Sequence, residues 1–133
     1  MKSLFKLTIV FAVMAIGFCS CGGGSGSALM NITKKTVVKF TYDDYSSLKV
    51  TLYTDGTCHS EGIYPSGNSF SYDGNYRYEG DTFHDIHHNW ISIEIHSGYW
   101  VDIMEDGSVY GAMTGEKVEN LDAWKSGKVT SID

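Results

Sequence analysis

Helical periodicity is missing from nearly all of this chain. No stretch before Glu119 spaces its apolar residues three and four apart, so an α-helical or α/β architecture has nothing to build on. Basic residues are scarce as well: ten Lys and Arg stand against sixteen Asp and Glu, a formal charge of −6. Without the first twenty residues, which hold Lys2 and Lys6, eight face sixteen and the charge is −8. An acidic surface excludes the usual recognition of nucleic acid, which needs basic patches. It equally excludes electrostatic adhesion to anionic lipid. No nucleophile elbow, phosphate-binding loop or HExxH motif is present, so no catalysis is expected. The longest apolar run, Leu7 to Phe18, falls short of the about 20 residues that a membrane-spanning helix needs.

That run has a different use. Lys2 and Lys6 precede it and Phe18-Cys19-Ser20-Cys21-Gly22-Gly23-Gly24 follows it, the layout of a secretory signal. The segment resembles the signal peptide and lipobox of small bacterial lipoproteins, with Ser20 as the small residue before the modified cysteine. The resemblance implies that residues 1–20 are removed and that Cys21 carries acyl chains, palmitate among them. More than one chain is needed for stable attachment. Gly22 after the cysteine implies sorting to the outer membrane, and with no acidic run following, to its periplasmic face. Residues 21–33, beginning CGGGSGS, are then a lipid-anchored flexible linker, and residues 34–133 a single domain. Cys58 is left as a lone thiol, so no internal disulfide can form. On a strand it reads as a small buried apolar residue.

The domain is strand after strand. Residues 36–42 and 48–54 are rich in β-branched and aromatic residues, and 57–64 follow up to the loop around the single proline, Pro65. Residues 69–78 carry Phe70, Tyr72, Tyr76 and Tyr78 at even spacing, with Gly74 in mid-run as a bulge or corner. Glu79-Gly80-Asp81 reads as a turn into a further strand over 82–86. Between Asn89 and Thr114 the register itself is legible. Three-residue, glycine-ending loops at His96-Ser97-Gly98 and Glu105-Asp106-Gly107 pair Ile95 with Tyr99, Ile93 with Val101, Ile91 with Ile103, and Val109 with Ile103. That collects the apolar residues on an inner face and sends Ser92, Glu94, Trp100, Asp102 and Met104 outward. Near the end, 121–125 is expected as a helical turn capped by Asn120, with Trp124 packing over a barrel end or sheet edge. The final KVTSID is expected as an edge strand or a tail.

An all-β meander of about eight short strands, closed into a small barrel or folded as a sandwich, accounts for this spacing. Gly74 to Phe83, with its G-x-Y-x-x-x-G-D-x-Φ pattern, resembles a hairpin of small lipocalin-like lipoproteins of Gram-negative bacteria. The resemblance implies a lipocalin-like barrel. Two constellations bear on function. Trp100 flanked by Glu94 and Asp102 on the outer face suits stacking on a sugar ring while the acids accept its hydroxyl protons. His84, His87 and His88 supply nitrogen donors of the kind that hold zinc, copper or nickel, provided that a turn brings them together. The favoured reading is a lipid-anchored envelope binding or accessory module, without cofactor, that contacts glycan, peptide or another small molecule through aromatic surface. The alternative is a metal-binding protein or metal-dependent enzyme using the histidine cluster.

Overall fold

The computed structural model describes residues 26–83, 85–113 and 119–133. Eight antiparallel strands follow one another in chain order and close into a barrel. They are β1 (Thr36–Tyr42), β2 (Tyr45–Leu52), β3 (Thr57–Ile63), β4 (Ser69–Phe83), β5 (Ile86–His96), β6 (Tyr99–Met104), β7 (Ser108–Gly111) and β8 (Gly127–Ile132). A 3-10 turn, Ser27–Met30, precedes β1, and a single helical turn, α1 (Leu121–Trp124), lies between β7 and β8. The all-β class, the strand number and the short C-terminal helical turn are as the sequence predicts. The architecture is consistent with a lipocalin-like barrel.

The isoleucine alternation of β5 organises the interior. Ile91, Ile93 and Ile95 point inward with Val101 and Ile103 of β6 and Val109 of β7, against Val38, Phe40, Leu48, Val50 and Leu52 from β1 and β2. Branched and aliphatic side chains thus fill the barrel. Ile93 pairs with Val101, Ile91 with Ile103 and Ile103 with Val109, the register read from the glycine-ending loops. One pair departs from it. A bulge after Glu94 sets Tyr99 opposite His96 rather than Ile95, which turns the Tyr99 ring out of the core to 42% exposure. Cys58 lies opposite Leu52 and is buried; burial pushes its thiol up to about 11, so it stays protonated near neutrality.

Closure depends on β4. As far as Asn75 it pairs with β3, and from Tyr76 it pairs with β5. At the changeover the chain bends so tightly that a Cβ on Gly74 would meet the Glu94 carbonyl oxygen at 2.7 Å. The corner expected at Gly74 is therefore a close backbone approach that a side chain would press apart.

Several expectations are corrected. Gly80 and Asp81 are not turn residues, because β4 continues to Phe83 in unbroken register with β5, Phe83 opposite Ile86. β8 is not an edge or tail: it pairs with both β1 and β7 and shuts the barrel. Asn120 precedes α1 without a side-chain cap. The linker gives way to folded structure earlier than residue 34, since Leu29 is fully buried in the barrel core.

The largest correction concerns the outer face of β5 and β6. Ser92, Asp102 and Met104 are buried there, not exposed. Trp90, Met104 and Tyr110 form a second apolar cluster against Phe83, Met113 and Leu121, the last two from the β7–β8 connection. Met113 and Leu121 pack over the sheet there, and a face that alternation marks as solvent-exposed becomes interior.

Candidate functional site

The barrel has two unlike ends. The turns after β2, β4 and β6 share one end, and the N-terminal segment plugs it. There Leu29 enters the core and the Gly26 N–H donates to the Glu105 carbonyl at 2.9 Å. The other end carries the β1–β2, β3–β4 and β5–β6 connections, and it is built from rings. Tyr42 ends β1, Tyr45 begins β2, Tyr64 follows β3, Phe70 and Tyr72 start β4, His96 ends β5 and Tyr99 begins β6.

These seven side chains touch in a continuous band. Tyr64 stacks on Phe70 with centroids 4.6 Å apart. Tyr72 stacks on His96 at 5.9 Å, and His96 meets Phe70 edge-on at 6.1 Å. Tyr45 links Tyr64 at 5.9 Å to Tyr42 at 5.7 Å, and Tyr42 meets Tyr99 edge-on at 6.3 Å. Tilted and edge-on pairs at such distances are the favoured arrangements of aromatic quadrupoles. The Tyr42 and Tyr99 hydroxyls share a hydrogen bond of 2.9 Å. Burial, reinforced by that bond, holds the Tyr42 phenol well above its ordinary pKa, so it remains a neutral hydroxyl. Tyr45, Tyr64, Phe70 and Tyr72 are half-buried, His96 and Tyr99 are exposed, and the carboxylates Asp43 and Asp44 stand exposed in the adjacent turn.

A groove of about 510 Å³ adjoins this band on the outer side of β2–β4. Ser47, Lys49, Glu61, Ser69 and Ser71 line it, with Phe70 at its margin. Lys49 and Glu61, opposite each other on β2 and β3, form an ion pair at 3.5 Å in its lining. The end therefore offers ring faces beside hydroxyls, an ammonium and carboxylates. An apolar, hydroxyl-rich ligand needs that combination.

The residues singled out by sequence lie elsewhere. Trp100 is half-buried opposite Glu94, and the Arg77 guanidinium covers its ring at 4.3 Å. Asp102 is 3% exposed; its Oδ1 accepts from the Ser92 hydroxyl and its Oδ2 from the Met113 N–H, both at 2.6 Å. Burial raises its pKa against the pull of these donors. Glu94 is half-buried and accepts from the Gly98 N–H at 3.3 Å and the Tyr72 hydroxyl at 3.4 Å. An aromatic platform open between two carboxylates is thus not formed at Trp100, because Arg77 takes the ring and the fold takes Asp102.

In the histidine cluster, His84 lies outside the described residues, as do Cys21 and the signal segment. His87 and His88 are consecutive on β5 and so face opposite ways. His87 has both nitrogens occupied, Nδ1 by the Thr82 hydroxyl at 3.1 Å and Nε2 by Asn89 Oδ1 at 2.9 Å. Asn89 passes the chain on by donating to Glu105 at 3.0 Å. Among the described residues no three His, Cys, Asp or Glu side chains gather in a way that would hold a metal ion. The aromatic end was missed in sequence. Its even tyrosine spacing marks strands, while the convergence of rings from separate strands depends on closure.

No family model, curated protein or solved structure matches the chain. What is established is the class: a closed eight-stranded antiparallel barrel with a filled interior, plugged at one end and ringed with aromatics at the other.

Proposed function

We propose that this protein is a non-catalytic binding module of the cell envelope, attached to the outer membrane through acylated Cys21, with a glycan bound at its aromatic end. The observation that carries the reading is the seven-ring band beside the serine-lined groove, at the end opposite to the N-terminal plug. The C–H faces of a sugar ring are apolar and pack on an aromatic face. Its hydroxyls need donors and acceptors, which Lys49, Glu61, the groove serines and Asp43 provide. Filling of the interior favours a ligand at the rim over one inside the barrel, since capture inside requires a cavity.

Calorimetry of the soluble domain against a panel of soluble envelope glycans tests this. Binding to at least one glycan class is expected, lost in Tyr99→Ala and Tyr64→Ala and retained in Trp100→Ala. Loss in Trp100→Ala with retention in both tyrosine variants would move the site to the outer face of β5 and β6. A panel without any binding would remove the glycan reading. Fatty-acid labelling of the wild type and not of Cys21→Ser tests the attachment separately.

A further inference from the structure

The plugged end, like the aromatic end with Tyr99, exposes large apolar side chains. Tyr53, Tyr78 and Ile86 are exposed large apolar residues, and all belong to this end; Ile86, at 59%, begins β5. β5 starts four residues (90 − 86) before Trp90, the partner of Met104 at the end of β6. At about 3.3 Å per residue the β4–β5 hairpin overhangs the β6–β7 turn by about 13 Å. With the strand tilt usual in barrels, that is about 10 Å along the axis.

The chain leaves the fold at the foot of this overhang. Gly26 is fixed beside Met104 and Gly107 and bonded to Glu105. Five residue steps (26 − 21) connect it to Cys21. A fully extended chain covers at most about 18 Å in five steps. If Cys21 is held in a bilayer, the hairpin tip therefore lies no more than about 8 Å from the surface at full extension, and any slack brings it into contact.

We propose that this end of the barrel is apposed to a phospholipid bilayer, with the exposed Ile86 at the tip. The proposal rests on the acylation of Cys21 advanced above. The headgroup zone is about 5–8 Å deep on each side, comparable to the reach of the tip. The tether enforces the contact and charge does not: Asp55, Asp81, Asp85, Glu105 and Asp106 are exposed at this end, against Lys34 and Lys35. Covalent attachment supplies the local concentration that the surface alone would not. The orientation also points the aromatic end away from the membrane that holds the protein.

The test uses the acylated chain in vesicles of phosphatidylethanolamine with a minor share of phosphatidylglycerol. A nitroxide is placed at Ile86→Cys or, as the distant control, at Ser66→Cys in the β3–β4 loop. Both positions are exposed, and the buried, protonated Cys58 thiol stays unlabelled. The label at position 86 is expected to collide with oxygen in preference to a water-soluble nickel chelate, several-fold more so than the label at position 66. The preference should shrink as the anionic lipid share rises. Equal aqueous exposure of both labels in a chain that carries fatty acid overturns the apposition and leaves the anchor standing. A chain that takes up no fatty acid overturns both.

Discussion

Asp102 shows how one residue can reverse its expected character. Alternation along β6 puts it on the outer face, yet it is buried beneath the β7–β8 connection with Ser92 and the Met113 N–H as donors. Ser92→Ala, neutral at a surface position, is instead expected to cost about 1–3 kcal/mol, because a buried carboxylate loses a donor. Ile93→Ala, in the core proper, should cost about 2–5 kcal/mol. Urea unfolding of both variants checks the pair. The pH dependence has a definite sign. Burial raises Asp102 above its ordinary 3.8, so the folded state binds a proton that the unfolded state has released. Its contribution to stability is greatest below 3.8 and is lost as pH rises through the folded value. Across that window the wild type should lose stability relative to Asp102→Asn as pH rises, as urea midpoints measured at successive pH values would show. The opposite slope would mean that the carboxylate is held charged by its donors. At His87, zinc or copper titrated into the soluble domain should give no heat, since both nitrogens already have partners.

Among the elements, β4 was the least legible. Its aromatic alternation declared a strand, but Glu79-Gly80-Asp81 also declared a turn, and the turn signal lost. Eight consecutive backbone pairs with β5, from Tyr76 to Phe83, outweigh a local preference. The meander from β5 to β7 was the most legible, because isoleucine alternation and glycine-ending loops both act over a few residues. The outer cluster and the aromatic end were not legible for a common reason. Each forms only when segments far apart in sequence are brought together, Met113 and Leu121 over β5 and β6 in one case, rings from separate strands in the other. Gly74, by contrast, is legible as a corner, because a glycine inside a strand pattern marks a close backbone approach. Gly74→Ala should cost about 1–3 kcal/mol, since its Cβ would press on the Glu94 carbonyl. Gly98→Val should also destabilise, because a β-branched residue tolerates a φ of +70° poorly. Thermal unfolding of the two variants tests the corner and the turn independently.

For the whole molecule, the N-terminal plug is part of the fold rather than a lead-in to it. Leu29→Ala is expected to cost about 2–5 kcal/mol in chemical unfolding, as for other buried leucines, whereas a passive linker residue would cost nothing. The last strand has a wider consequence. β8 joins β1 across 91 positions, as in the bond from Thr130 to the Lys39 carbonyl, and meets β7 through only two paired positions. Every other neighbouring pair is a hairpin that can zip locally. Joining β8 to β1 therefore carries a larger loop-closure entropy than any hairpin of the meander. Until β8 arrives, β1 and β7 present unpaired edges to any passing strand. Anything that keeps β8 from its two neighbours therefore leaves the barrel open along a pair of edges that invite aggregation.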